Sequence, residues 1–235
     1  HYEKLGEEEV ALHDSWDSVA RISLMVAIIS VLVWTMCTVL RTLVHSGTEW
    51  LYDTVTHDGW QGGAVLIGLL VAGGTLRGLL IRRYGWGDAA GDGMTEALAN
   101  YHVTYEHIGD DPQQRYDRPA FGLALKKAAM TVLTLCTGGS GGLEAPVVLI
   151  SECIGAGWGR VMRTISEHEL RTYQLAAIGA GVSSLLGAPF TAALFATEIA
   201  YSDRIVYRKF AYALFAGIIA YILNNHVAGI EPLFS

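Results

Sequence analysis

The stretch richest in chemistry runs from Thr137 to Glu152, TGGSGGLEAPVVLISE, where the carboxylate of Glu144 stands between a set of glycines and a proline. Pro146 suits the first turn of a helix, where a missing N–H costs nothing. Glu144 is therefore expected just ahead of that helix, after glycines that let the backbone turn its N–H groups inward. A helix amino end carries about half a positive charge and free donors, which suits an anion. Glu144 can fill that place itself, or leave it to a diffusible anion when protonated, which would make it a gate. It can also simply stabilise the start of the helix.

Other chemistries compete for these residues. Gly138 to Gly142 fits the G-x-S-x-G pattern around Ser140, but a hydrolase elbow needs a preceding strand and a histidine base. What precedes Ser140 reads as an apolar helix, and His226 is the only histidine at comparable depth. No Lys-Ser/Thr follows the glycines, so they do not form a nucleotide loop. His102, His107, Asp110 and Asp111 match no standard ligand spacing and read as a solvated loop. Cys37, Cys136 and Cys153 sit in apolar runs at unrelated spacings and read as packing residues. An enzyme, a metal, a cofactor and a nucleic-acid partner are all unexpected. Glu152 lies near the helix face of Glu144, either paired or facing water.

These residues need elements to hold them, and the composition places those elements in a lipid bilayer. Of 235 residues 51% are hydrophobic and 17% charged, against about 25% charged in soluble domains. Ala20 to Leu40 and Gly62 to Ile81 are each long enough to cross a hydrocarbon layer of about 30 Å. Arg21 and the pair Arg82-Arg83 put both outer ends on the cytoplasmic side, with Val44 to Gln61 joining the spans outside. The net charge of −7 comes largely from an acidic segment, 1–18, and from the loop Tyr105 to Asp117. Residues 19–235 form the membrane domain.

Beyond the second span the apolar segments shorten: Met94 to about His102, Leu123 to Leu135, Val147 to Trp158, Thr172 to Leu186, Phe190 to Ala200 and Phe210 to Leu223. A helix of about 14 residues is only about 21 Å long, so most of these are expected to end within the membrane. Freed backbone groups there need protein or a polar cavity around them, and such broken helices often point their amino ends at an ion site. The fold class is all-α, polytopic, with short, tilted and broken helices.

Four stretches carry a resemblance. GLEAPVVLISECIGAGWGR resembles the Gly-basic-Glu-Gly-Pro motif and following helix of the CLC chloride channels and proton-coupled exchangers. Leu175 to Ile199 is similar to that family's next helix pair, GDGMTEAL to its Gly-Ser-Gly-Ile-Pro-Glu stretch, and YRKFAYALFAGIIAYILNNHVAG to the helix closing the first half. The resemblance covers about Asp17 to Phe234. It implies one half of an inverted-repeat membrane domain that moves chloride or another small anion, as a channel or as a proton-coupled exchanger. By the same resemblance Glu144 is the gating glutamate, and the anion lies among Gly91, Asp92, Gly93, Met94, Gly142, Leu143 and Ala145. Glu144, Asp92 and Glu198 are the candidate proton carriers.

The chain departs from the family pattern in ways that bear on mechanism. Leu143 replaces the basic residue, Ala145 a glycine, Thr95 a proline, and Ile199 the inner proton acceptor beside Glu198. Asp92 replaces a serine, and an ionised carboxylate about 4 Å from an anion costs about 4 kcal/mol at an effective dielectric near 20. Asp92 is thus protonated beside an anion, turned away, or a sign that the centre is no anion site; it can also cap the helix at Met94, alone or together with the first role. In the protonated case it takes over the proton role left vacant at Ile199. The resemblance also implies a complementary second half and a dimer, with Ala192, Ala193, Ala211 and Gly217 permitting close helix approach. The competing reading is a non-conducting structural or regulatory membrane subunit.

Overall fold

The computed structural model describes residues 16–57, 60–103, 119–162, 167–201 and 206–228. Within them the chain forms eight α-helices: α1 Trp16–His57, α2 Trp60–Tyr84, α3 Met94–Val103, α4 Ala120–Cys136, α5 Glu144–Val161, α6 Glu167–Leu186, α7 Pro189–Tyr201 and α8 Tyr207–Leu223. A 3-10 turn, Trp86–Ala89, precedes α3, and α8 runs into a π turn, Asn224–Ala228. Three helical stretches are long and apolar enough to cross a membrane: Asp17–Thr56, Gln61–Tyr84 and Tyr207–Val227.

Two expectations are corrected here. The segment expected to join the first two spans outside is helical from Val44 to His57, because α1 does not stop at Leu40. Gly47, inside that extension, is a packing residue: a Cβ there would overlap the Cys136 side chain. The last apolar run, expected to be too short to cross, is extended at both ends to 21 residues. Of the acidic segment, residues 1–15 lie outside the described residues and Trp16 to Ser18 already belong to α1. The loop Tyr105 to Asp117 also lies outside them.

The core is built around α6, buried without a break from Leu170 to Ser184. Its small residues allow that, since a helix with neighbours all round needs no polar face. It packs on α1, α5, α7 and α8. Polar stitches cross between helices: Ser183 Oγ donates to the Gly217 carbonyl at 2.8 Å, Ser30 Oγ to Ala216 at 3.2 Å, and Asn224 Nδ2 to Ser184 at 2.7 Å. Asn224 also receives the Trp34 indole N–H at 2.8 Å. These pairings run α1, α6 and α8 in the same direction. By contrast α5 is antiparallel to α6, with Gly181 against Ser151 and Val147 at one end and Gly159 against Leu170 at the other. At its outer face α2 exposes Ile67, Val71 and Leu79, as a lipid-facing helix should.

Candidate functional site

The site begins where α4 stops. Gly138 takes φ 89°, in the left-handed region that favours glycine, and its N–H bonds to the Leu135 carbonyl at 3.2 Å. Gly139 N–H bonds to Thr134 at 2.8 Å. The chain then reaches Leu143, the cap of α5, and Glu144, its first residue. The helix thus starts two residues earlier than a proline at its first position implies, and Pro146 lies within the first turn. Glu144 is exposed, and its carboxylate folds back over Gly142, so that a Cβ on Gly142 would overlap Oε2.

A second helix amino end meets this one. At Gly93 φ is 105°, and its carbonyl accepts the first hydrogen bond of α3, from the Ala97 N–H at 2.9 Å. The open side of Gly93 faces α5: a Cβ there would lie 3.2 Å from Leu149 Cβ and 3.3 Å from the Ala145 carbonyl oxygen. Of the residues expected at the site, Gly93 is thereby brought beside Ala145. Asp92 Oδ1 accepts the Met94 N–H at 3.1 Å, so the capping expected of an aspartate ahead of Met94 is present. One of the free donors at the start of α3 is already taken.

Between these ends lies a cation that sequence reasoning missed. Lys127 on α4 is 3% exposed, and its Nζ donates to the carbonyl of Gly91 at 2.8 Å and to that of Ala89 at 3.4 Å. Its Cε lies 3.0 Å from where a Gly93 Cβ would stand. The signal was available in LALKKAAM: a lysine inside an apolar helix is costly at membrane depth and needs a reason to be there.

The remaining candidates lie elsewhere. Glu198 is exposed on α7, and among the described residues no hydrogen bond joins it to either amino end. Ser140 is exposed and follows a helix, so this serine lacks the strand that a hydrolase elbow requires. Among the described residues no group of three His, Cys, Asp or Glu could hold a metal; His107, Asp110 and Asp111 lie outside them. Glu152 is paired rather than water-facing: Gln174 Nε2 donates to Oε1 at 2.8 Å and Asn100 Nδ2 to Oε2 at 3.2 Å.

The profile of the voltage gated chloride channel family matches residues 73–235. Two solved structures share the fold. One is a CLC-type fluoride/proton antiporter, at TM-score 0.71 and 20% identity over 94% of this chain and 50% of that one. The other is a slow cyanobacterial Cl−/H+ antiporter, at TM-score 0.70 and 20% identity over 92% of this chain and 48% of that one. The chain spans about half the length of each. Comparison with curated proteins returned no match.

Proposed function

The chain belongs to the voltage gated chloride channel family, and from that premise we propose that it supplies half of an anion pathway across a membrane, gated by Glu144. The observation that carries the proposal is the meeting of two helix amino ends, those of α3 and α5, over the buried ammonium of Lys127. Amino-end dipoles and a lysine charge attract an anion more strongly at membrane depth than in water, because little solvent screens them. The Glu144 carboxylate sits at the same amino end and competes for it. Protonation of Glu144 removes the competitor and admits a halide or another small anion, which ties the pathway to protons. Because the chain covers only half of its structural neighbours, a complementary half completes the pathway, and two complete units form a dimer through the small-residue faces of α7 and α8.

The test is anion flux through the purified full-length protein in liposomes, compared with Glu144→Ala. Flux that changes its pH dependence in the variant supports the gate. The competing reading, a non-conducting subunit, draws on Asp92, whose carboxylate already occupies the amino end of α3. Absence of flux from wild type and variant alike favours it.

A further inference from the structure

The face of α2 that packs on the end of α4 carries Leu66, Leu70, Gly73 and Arg77 at helical spacing. Leu66 Cδ1 and Leu70 Cδ2 lie 2.8 and 3.6 Å from where a Gly138 Cβ would stand, and a Cβ on Gly73 would overlap the Thr137 side chain. Arg77 continues that stripe. Its Nη1 donates to Thr134 Oγ1 at 3.5 Å, so the half-buried guanidinium reaches toward α4. Arg77 stands seven residues before the end of α2 at Tyr84, about 10 Å inside it. A charge at that depth is costly and is a candidate functional group by default.

Thr134 is about two turns from Lys127 on the same face of α4, and the charges of Arg77 and Asp92 both act on the Lys127 ammonium. Among the described residues neither Arg77 nor Lys127 forms a salt bridge. The nearby carboxylate, Asp92, already accepts the Met94 N–H. Two cations against one carboxylate leave a net positive charge, and like charges in a poorly screened place repel unless an anion comes between them. Arg77 also lies beside the loop that carries the gate, because the Gly139 N–H donates to the Thr134 carbonyl at 2.8 Å. Next to Glu144 itself, position 143 is leucine and supplies no charge.

We propose that Arg77 is a second anion-holding charge of the pathway, which draws a small inorganic anion such as chloride toward Lys127 and holds it while Glu144 occupies the amino end of α5. Guanidinium N–H groups donate to the anion, and the positive charge absent at position 143 comes instead from α2. The proposal rests on the transport reading above and adds to it a residue outside the glycine loops. A lipid phosphate would offer a guanidinium the same negative charge, and the test separates the two sources.

Calorimetric chloride titration of the full-length protein in phosphatidylcholine nanodiscs decides it. Arg77→Gln is expected to weaken binding at least about tenfold, the least that a unit charge within about 10 Å of the anion contributes at an effective dielectric near 20. Arg77→Lys keeps the charge and is expected to stay within about threefold of wild type, with the thermal midpoint of both variants unchanged. Equal affinity in wild type and Arg77→Gln, with Glu144-dependent flux intact in liposomes, overturns this proposal alone and leaves the guanidinium to a lipid phosphate. A loss as large in Arg77→Lys as in Arg77→Gln overturns it in favour of packing against Thr134. A wild type that neither binds chloride nor shows Glu144-dependent flux sinks the transport reading, and this proposal falls with it.

Discussion

The ammonium of Lys127 lies 2.8 Å from the carbonyl oxygen of Gly91, which fixes the loop ahead of α3 to the middle of α4 and sets a positive charge under two helix starts. Lys127→Met keeps the length of the side chain and removes both roles. Leaving the Gly91 carbonyl without its donor costs about 1–3 kcal/mol of stability. Removing a unit charge about 8 Å from an anion costs about 2 kcal/mol at an effective dielectric near 20, roughly 30-fold in affinity. Calorimetric halide titration in detergent, with Lys127→Arg as the charge-retaining control, is expected to show that loss in the Met variant only.

Asp92 can be examined with its cap preserved. Asparagine caps a helix as well as aspartate does, so Asp92→Asn should leave thermal stability within about 0.5 kcal/mol of wild type. If the carboxylate is ionised beside the bound anion, its removal tightens binding by up to about 4 kcal/mol, roughly a thousandfold. If it is protonated there, affinity hardly changes and the pH dependence of proton movement does. Unchanged affinity together with unchanged proton movement leaves Asp92 as a cap and nothing more.

Packing between α5 and α6 should be governed by contact rather than by hydrogen bonds. A Cβ on Gly155 would lie 2.6 Å from the Tyr173 carbonyl oxygen and 2.9 Å from Gln174 Cα, both backbone atoms that cannot swing aside. Gly155→Ala is expected to cost about 1–3 kcal/mol. The hydrogen bond from Ser183 to Gly217 is 2.8 Å long, yet inter-helix bonds in membranes average only about 0.6 kcal/mol. Unfolding followed by tryptophan fluorescence should rank Gly155→Ala well below Ser183→Ala in stability; the reverse order would show that polar stitching dominates.

How far the sequence could be read follows from the range of each interaction. The start of α5 was legible because Pro146 and the glycines act within one turn of Glu144, and the apolar run after Ala20 announced α1. The far end of α1 was not, since the apolar run ends at Leu40 and the partner of Gly47, Cys136, lies far away in the chain. Lys127 was visible but had no readable partner, because Gly91 lies 36 residues away. Likewise Glu152 stood out as a buried-depth carboxylate, while its partners Asn100 and Gln174 are 52 and 22 residues distant. Local spacing carries information about caps and faces; which side chains meet across helices depends on the fold.

Gly142 offers a test of the gate that leaves Glu144 itself in place. The atom that a Cβ at position 142 would meet is Glu144 Oε2, the far end of a flexible side chain. Gly142→Ala can therefore be accommodated by rotation of the glutamate at a stability cost within about 0.5 kcal/mol, as for an exposed surface change. That rotation takes the carboxylate away from the amino end of α5, where it would otherwise compete with an anion for the same N–H donors. Flux at neutral pH is expected to rise toward its acid value in Gly142→Ala, as in Glu144→Gln, while Ser140→Ala, two residues earlier, changes nothing. Neutral-pH flux that stays at the wild-type level in Gly142→Ala but rises in Glu144→Gln would show that the carboxylate gates from a position other than the one it holds over Gly142.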